Sequence, residues 1–403
     1  MNTRTSRFVA IALLLLCATF LSAAKASDAS DDEKQAFEAA LATLCDKRVV
    51  LLGEDSGHGA GRTVALKGRI TRALVERCGF SAVYFESPVY EFLHLEEQLA
   101  ARDAGPGLLA DAVGALWAGT AEFQPTLDWL WQDVVAGRLH VQGLDVQVGG
   151  ITQTYSAQAL PARLARHAGR SRTMCERRIA RFTRWEFDAT HPFDDAFRTQ
   201  VRACLATIQT RLASDHDTVS SKATARMTWA LMRALDVGSH DGFNLREDAM
   251  ARNVAWHQAR VPAPRIVIWT ATRHALKGVL ADKPERIPLG MRLVPGFGPD
   301  LASIGFTSAS GHHGRPGQGS LALNTPTLGT LEAAPHASRS SVFLDVAQLH
   351  RLGTRESRVV GYARPLTADW STLLDGIWIL PLETPLHVAG DIEVPPAPAL
   401  PLM

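Results

Sequence analysis

An α/β fold, with a mainly parallel central sheet flanked by helices and carrying an all-helical insertion, is predicted by three patterns in the 403-residue sequence. Short runs rich in β-branched and aromatic residues alternate with helix-period segments in the first third, similar runs return after about residue 260, and the stretch between has helical periodicity alone. Strands alternating with helices imply parallel pairing through right-handed crossovers.

The chain opens with Arg4 and Arg7, an apolar run from Phe8 to Leu21, and small residues at Ser22, Ala23, Ala24 and Ala26. That order is expected of a signal peptide over residues 1–26, cleaved near Ala24 or Ala26. The apolar run falls short of the roughly 20 residues that a helix needs to cross a bilayer. No twin-arginine pair is present, so the Sec route and a periplasmic or secreted protein are expected. Residues 27–150 read as the N-terminal half of the core. Arg48–Leu52, Ala82–Glu86 and Leu139–Leu144 are its strands, with helices over Thr63–Cys78 and a stretch near Asp111–Ala136.

Residues 151–260 read as the helical insertion. Arg163, Arg166, Arg170, Arg172, Arg177, Arg178, Arg181 and Arg184 crowd its first part, and interleaved acids such as Glu176 and Glu186 make a solvated face the expectation. Asn244 followed by Glu247 suggests a capping box opening the last helix. Residues 261–390 resume the core, with strands at Arg265–Trp269, Leu301–Phe306, Ser341–Leu344, Val359–Tyr362 and Gly376–Leu380. The glycine- and serine-rich segment Thr307–Ser320 is expected to be a mobile loop. The tail 391–403, with Pro395, Pro396, Pro398 and Pro401, is expected to be extended or disordered.

Loss of the leader removes Arg4, Arg7 and Lys25, leaving 39 basic against 41 acidic residues, a charge of about −2. Near-neutrality gives no reason to expect nucleic acid or an acidic membrane surface as partner. Four cysteines remain. Their positions favour the local pairs Cys45 with Cys78 and Cys175 with Cys204, with buried free thiols left open. The Gly-x-Ser-x-Gly elbow, the His-Glu-x-x-His helix and the Cys-x-x-Cys pair are all absent, so no zinc site or serine nucleophile is indicated and no cofactor is expected.

In an open parallel sheet, ligands bind beyond the carboxyl ends of the strands. Glu54 and His58 follow the first strand, Glu86 closes the second, Asp145 follows the third, and His274 comes shortly after Trp269 on the fourth. Lys67 lies at the edge of the apolar stripe Leu66, Ile70, Ala73 and Leu74, and must find an acid, with Glu54 and Glu86 the candidates. The glycine-rich segment from Gly53 to Gly61 leads into a helix whose N-terminus would favour a bound anion or developing negative charge. It lacks the Gly-Lys-Ser/Thr ending of a phosphate loop. His312 and His313 lie in the Gly/Ser segment and carry little weight as a metal site.

The succession of Gly53-Glu54, His58-Gly59, Lys67 to Arg69, Gly79-Phe80 leading to Glu86, Gly143 to Gln147, Arg246-Glu247 with Met250 and Asn253, and Trp269 with His274 resembles that of erythromycin esterase-like proteins. Leu289-Gly290 and Ile304-Gly305-Phe306 fit as well, and the resemblance spans about residues 40 to 385. It implies hydrolysis of a small-molecule ester or lactone by activated water, without a covalent serine intermediate. His58 matches the water-activating histidine, Glu54 and Glu86 its acidic companions, and His274 the second histidine of a tryptophan-led His-x-x-His motif.

Three positions depart from the family pattern. Asp55, Ser56 and Gly57 place three residues between Glu54 and His58 instead of two, Lys67 replaces an arginine, and Ala271 stands where the first motif histidine belongs. Macrolide opening is therefore not expected. The leading expectation is a hydrolase using His58, with Glu54 and Glu86 orienting it and Lys67 or His274 polarising the carbonyl. The alternatives are a divergent member that binds a small molecule or polymer in the same cleft without turnover, and a metal-supported hydrolase using His58, Glu86 and His274.

Overall fold

A computed structural model describes residues 31–148, 154–214, 219–237, 241–261 and 263–390. The expected signal peptide and proline-rich tail lie outside the described residues. Seven strands form the central sheet: β1 (Val49–Glu54), β2 (Ala82–Pro88), β3 (His140–Asp145), β4 (Ile266–Ala271), β5 (Leu301–Ser308), β6 (Val342–Asp345) and β7 (Gly376–Leu380). Their order is β3-β2-β4-β1-β5-β7-β6, and every pairing is parallel except that of the edge strand β6 with β7. The fold is α/β, as predicted.

The strands bury both faces, and side chains alternate between two cores. Val50, Leu52, Val83, Phe85, Val267, Trp269, Ile304 and Trp378 face one side. They meet the helix over residues 31–44 (α1), α2 (Gly61–Cys78), α4 (Pro106–Val113) and α5 (Gln124–Val135). Val49, Leu51, Tyr84, Ile266 and Ile268 face the other side, against α11 (Gly242–Gln258) and α13 (Leu289–Phe297).

Between β3 and β4 every described element is a helix: α6 (Thr154–Gln158), α7 (Leu160–Ala165), α8 (Arg172–Thr183), α9 (Asp195–Leu212), α10 (Val219–Val237) and α11, with one 3-10 turn at Arg166–Ser171. These helices share an apolar core with Val89, Tyr90 and Leu93 of α3 (Val89–Ala101). The last of them, α11, also presses Met250 and Val254 against the sheet and so serves as a flanking helix of the core itself. Of the insertion's crowded arginines, Arg166, Arg170, Arg172, Arg177 and Arg184 are exposed, as expected of a solvated face, and two others pack inward. Arg163 is tied to both carboxylate oxygens of Glu97, and Arg181 lies over the rings of Phe187 and Phe197.

Four expectations need correcting. The stretch Asp111–Ala136 is two helices, because Gly114 takes φ +91° and Pro125 starts α5; Trp117 sits in the break. Val359–Tyr362 is a turn, since its polar groups bond to the loop after β1: Ser56 N donates to Val360 O, and Tyr362 N to the Asp55 carboxylate. Asn244 and Glu247 do not form a capping box. The helix starts earlier at Gly242, Asn244 accepts from Ile287 N, and Glu247 is buried at a distant contact. The Thr307–Ser320 segment is anchored, with Gly314 N donating to Gly59 O and Leu386 N to Gly314 O.

Two disulfides join Cys45 to Cys78 and Cys175 to Cys204, the local pairs favoured from the sequence. The second crosslinks α8 to α9 across a separation of 29 residues. Among the described residues no helix is long and apolar enough to cross a membrane. Replacing Cys175 and Cys204 together by serine should cost about 3–4 kcal/mol from regained loop entropy in the unfolded chain. Urea unfolding of the oxidised wild type and the double variant measures it, and equal midpoints would contradict it.

Candidate active site

Because β4 lies between β1 and β2, the tips of these three strands share one end of the sheet, and Ala271 stands level with Glu54. Close packing there requires glycine at position 53: a Cβ on Gly53 would come within 2.6 Å of the Thr272 Cα. The side chains at these tips sort into two clusters, one on either side of β4.

The first is built on Glu54, which is 1% exposed. Its Oε1 receives His58 Nδ1 at 2.7 Å and Trp117 Nε1 at 2.6 Å, and its Oε2 receives Lys67 Nζ at 2.9 Å. Burial alone would push the Glu54 carboxyl up, but Lys67 and His58 outweigh it and the net direction is down. An ionised carboxylate only accepts, so the proton of the neutral imidazole sits on Nδ1 and leaves Nε2 as a lone pair. No described side chain bonds to Nε2, and the His58 side chain is 12% exposed.

Lys67 has no exposed surface at all. It also donates to Thr270 O at 3.2 Å and lies 4.3 Å from the Trp269 ring centroid. Burial depresses its ammonium, and Glu54 holds the charge in place. A group sealed beneath Glu54 cannot polarise a substrate carbonyl, which corrects that half of the sequence expectation: Lys67 positions Glu54.

The loop carrying His58 is tightly held. His58 has φ +52°, an unusual left-handed conformation for a side chain other than glycine. Its backbone N donates to Asp55 O at 2.9 Å, while the Asp55 carboxylate accepts Gly57 N at 3.0 Å and Tyr362 N at 2.9 Å. These bonds fix the turn over Asp55, Ser56 and Gly57 that precedes His58. Arg315 Nε donates to Gly57 O at 2.7 Å, and among the described residues the Arg315 guanidinium meets no carboxylate. Its charge is felt from Asp55 and Glu54, so it lies beside the first cluster.

The N-terminus of α2 does not offer the anion site anticipated from the glycine-rich segment. It is occupied by the protein's own Glu383, whose Oε1 accepts Arg62 N at 2.8 Å and Thr63 N at 3.3 Å. Its Oε2 takes the hydroxyls of Thr63 at 2.7 Å, Ser308 at 2.9 Å and Tyr362 at 3.0 Å.

The second cluster centres on His274. Nδ1 meets Glu247 Oε1 at 2.5 Å and Nε2 meets Glu86 Oε1 at 3.0 Å. Glu86 Oε1 also accepts Arg246 Nη2 at 2.8 Å, and Arg246 Nη2 reaches Asp145 Oδ2 at 2.7 Å. Glu86 Oε2 takes the Thr270 hydroxyl at 2.7 Å and Ala271 N at 2.9 Å. Glu247 Oε2 caps α13 by accepting Leu289 N at 2.6 Å. Burial opposes the imidazolium, but Glu247 and Glu86 outweigh it and push His274 up to about 10. Burial likewise opposes ionised Glu86, yet His274 and Arg246 bring its carboxyl well below the usual range.

Thr270 joins the clusters, giving its carbonyl to Lys67 and its hydroxyl to Glu86. Glu86 therefore orders His274 and Arg246, and makes no bond to His58. Its lone pairs and both His274 nitrogens are spent within this cluster; among the described residues no group of three acids, histidines or cysteines is arranged to hold a metal ion. Of the expected residues, His58, Glu54 and Lys67 come together, and Glu86 with His274 form the neighbouring group. Sequence reasoning placed Asp145 at a strand end without a role, read Glu247 only as a helix cap, and assigned nothing to Trp117, Thr270, Arg315 or Glu383. Asp145 and Arg246-Glu247 were visible as parts of motifs, whereas the other four had no signal beyond being polar or aromatic.

The His274 ion pairs should register in stability. In the folded protein the imidazolium holds its proton to about pH 10, above the ordinary 6.5, so their contribution is complete below about pH 6.5 and is lost as pH rises through about 10. Melting of wild type and His274→Gln from pH 6 to 10.5 should show the wild-type advantage narrowing at the alkaline end. A constant gap would contradict the assignment.

Comparison with known proteins gives a consistent picture of kinship. A crystal structure described as a succinoglycan biosynthesis protein superposes with TM-score 0.68 at 15% identity, covering 87% of this chain and 92% of that one. A Bacillus cereus protein gives 0.65 at 15% identity over 85% and 90%. A mutant of the erythromycin esterase EreC in its open conformation gives 0.57 at 16% identity over 89% and 95%. At such identity these likenesses speak for the fold. No curated protein sequence matches the chain. The family model described as erythromycin esterase matches residues 75–379, a span that takes in Glu86, Asp145, Arg246, Glu247 and His274 and begins after the His58 loop. With three-quarters of its length under that model, the chain belongs to the erythromycin esterase family.

Proposed function

We infer that the protein is an exported hydrolase of a carboxylic ester or lactone, in which His58 activates water. The observation that carries this reading is the His58–Glu54 contact, which fixes the Nδ1–H tautomer and leaves Nε2 without a partner among the described residues. In the reaction, Nε2 takes a proton from water as its oxygen bonds to the carbonyl carbon. Glu54 stabilises the imidazolium that forms. The C–O bond to the alcohol then breaks, and the imidazolium returns the proton to the departing alkoxide.

The developing oxyanion needs a cation or a donor that is not already committed. Lys67 is sealed away, and Arg246 gives its Nε and Nη2 to Asp145 and Glu86 in the neighbouring cluster. Arg315 spends only Nε on Gly57 O and is assigned this role. His274, with both ring nitrogens on carboxylates, holds the neighbouring wall in place as a fixed imidazolium and transfers no proton. The leader sequence, together with two disulfides, supports export to an oxidising compartment.

A second reading, a member that binds without turnover, is favoured by one observation. Ala271 replaces the first motif histidine and contributes only its backbone N, to Glu86. A panel of esters and lactones assayed with mature protein separates the two. Hydrolysis should fall about 10²–10⁴-fold in His58→Ala, and about 10²–10³-fold in Arg315→Gln. Activity that survives His58→Ala would remove the proposed base, and absence of any product would favour the binder.

A further inference from the structure

We propose that a shallow basic hollow next to His274 is a subsite for the anionic end of the ligand, a carboxylate or phosphate group. Its wall is formed by Phe243, Arg273, Leu276, Leu280, Lys283 and Arg286. Phe243 stacks on His274 with centroids 5.8 Å apart and planes 15° from parallel, and the Arg286 guanidinium lies 5.3 Å from the centre of the same ring. One aromatic ring therefore separates the pocket from the second cluster of the active site.

The charges here are not balanced. Arg273 is half-buried, directly precedes His274, and makes no hydrogen bond or ion pair with any described residue. Its nearest charged neighbours include two further cations, Arg286 and Arg364, as well as Asp282 and Glu247, and burial depresses its guanidinium. Glu247 is committed to His274 and Leu289 N. Lys283 likewise has no acid within ion-pair distance among the described residues. Arg286 reaches Glu285 only at 3.9 Å and Arg364 reaches Asp282 only at 3.8 Å, and in each pair one side chain, Glu285 or Arg364, is largely solvated. Four cations thus face two weakly engaged acids.

A guanidinium withdrawn from water without an acceptor costs free energy that a bound anion would recover. Arginine is suited to this, because its planar fork matches carboxylate and phosphate oxygens. Leu276 and Leu280 beneath the charges are buried, so the hollow offers a ligand its cations and little apolar surface. Arg364 lies two residues after Tyr362, whose backbone N holds Asp55 of the His58 loop, so one turn links the hollow to the water-activating side. Resting on the hydrolase reading, the inference narrows the substrate to an ester or lactone that carries a negative charge away from the reacting carbonyl.

Binding is measured calorimetrically with phenyl phosphate, inorganic phosphate and phenol, on wild type and on Arg273→Gln/Lys283→Gln. Wild type should bind phenyl phosphate saturably and more tightly than phenol, and the double variant should bind it at least roughly tenfold more weakly. Lys283→Glu serves as a second variant should the first fail to fold, since Lys283 is fixed only through backbone bonds. The same affinity in wild type and variants overturns the site. Phenol binding as tightly as phenyl phosphate overturns the requirement for an anion. Because no turnover is read, binding that holds while no ester is cleaved sinks the hydrolase reading alone, and turnover without this binding sinks the subsite alone.

Discussion

A lysine with no exposed surface sits under a carboxylate that is itself almost sealed, and the proposed chemistry depends on that pair. Glu54 stays ionised in an apolar setting because Lys67 lies 2.9 Å beneath it, itself held by Thr270 O and the face of Trp269. Removing one partner of a buried pair typically costs roughly 3–5 kcal/mol, since the other charge is left without compensation. The ion pair is thus a poor source of net stability and an effective way to fix a charge. Here the charge is fixed where it can orient an imidazole. The ammonium satisfies one oxygen and leaves the other for His58 and Trp117.

The two clusters divide the work by how much freedom their protons have. On the β1 side, His58 has one nitrogen committed and one open. Across β4, His274 lies between Glu247 and Glu86, and Glu86 is further bound by Arg246, Thr270 and Ala271 N, so no proton there is free to move at neutral pH. Thr270 couples the two mechanically, through a carbonyl on one side and a hydroxyl on the other. The basic pocket on the far side of Phe243 extends the fixed-charge half and would set which ligands reach the reactive half.

The sheet was legible because its strands are buried on both faces: runs such as Val49–Leu52 and Ile266–Trp269 admit few other readings. The strand-end rule then located Glu54, His58, Glu86 and His274, since parallel sheets deliver their tips to one edge. What the sequence did not disclose were contacts made by distant segments. Trp117 reaches Glu54 from a break between helices that periodicity joins into one, and Glu383, far along the chain, fills the helix N-terminus that an anion might have taken. The role of Glu86 was misread for the same reason: the arginine and histidine that claim it come from α11 and the start of α12 (Thr272–Ala275), and their approach is set by tertiary packing. The Val359–Tyr362 run has strand composition but gives its polar groups to the Asp55 loop, a choice that local propensity does not encode.

The central claim is that Glu54 fixes the tautomer of His58, and nitrogen NMR of the imidazole reads this directly. At neutral pH, long-range ¹H–¹⁵N correlations on ¹⁵N-histidine-labelled protein should show the His58 proton on Nδ1 and a bare Nε2, with Glu54→Gln shifting the population toward the Nε2–H form. A proton found on Nε2 in the wild type, or a spectrum unchanged by Glu54→Gln, would contradict the account.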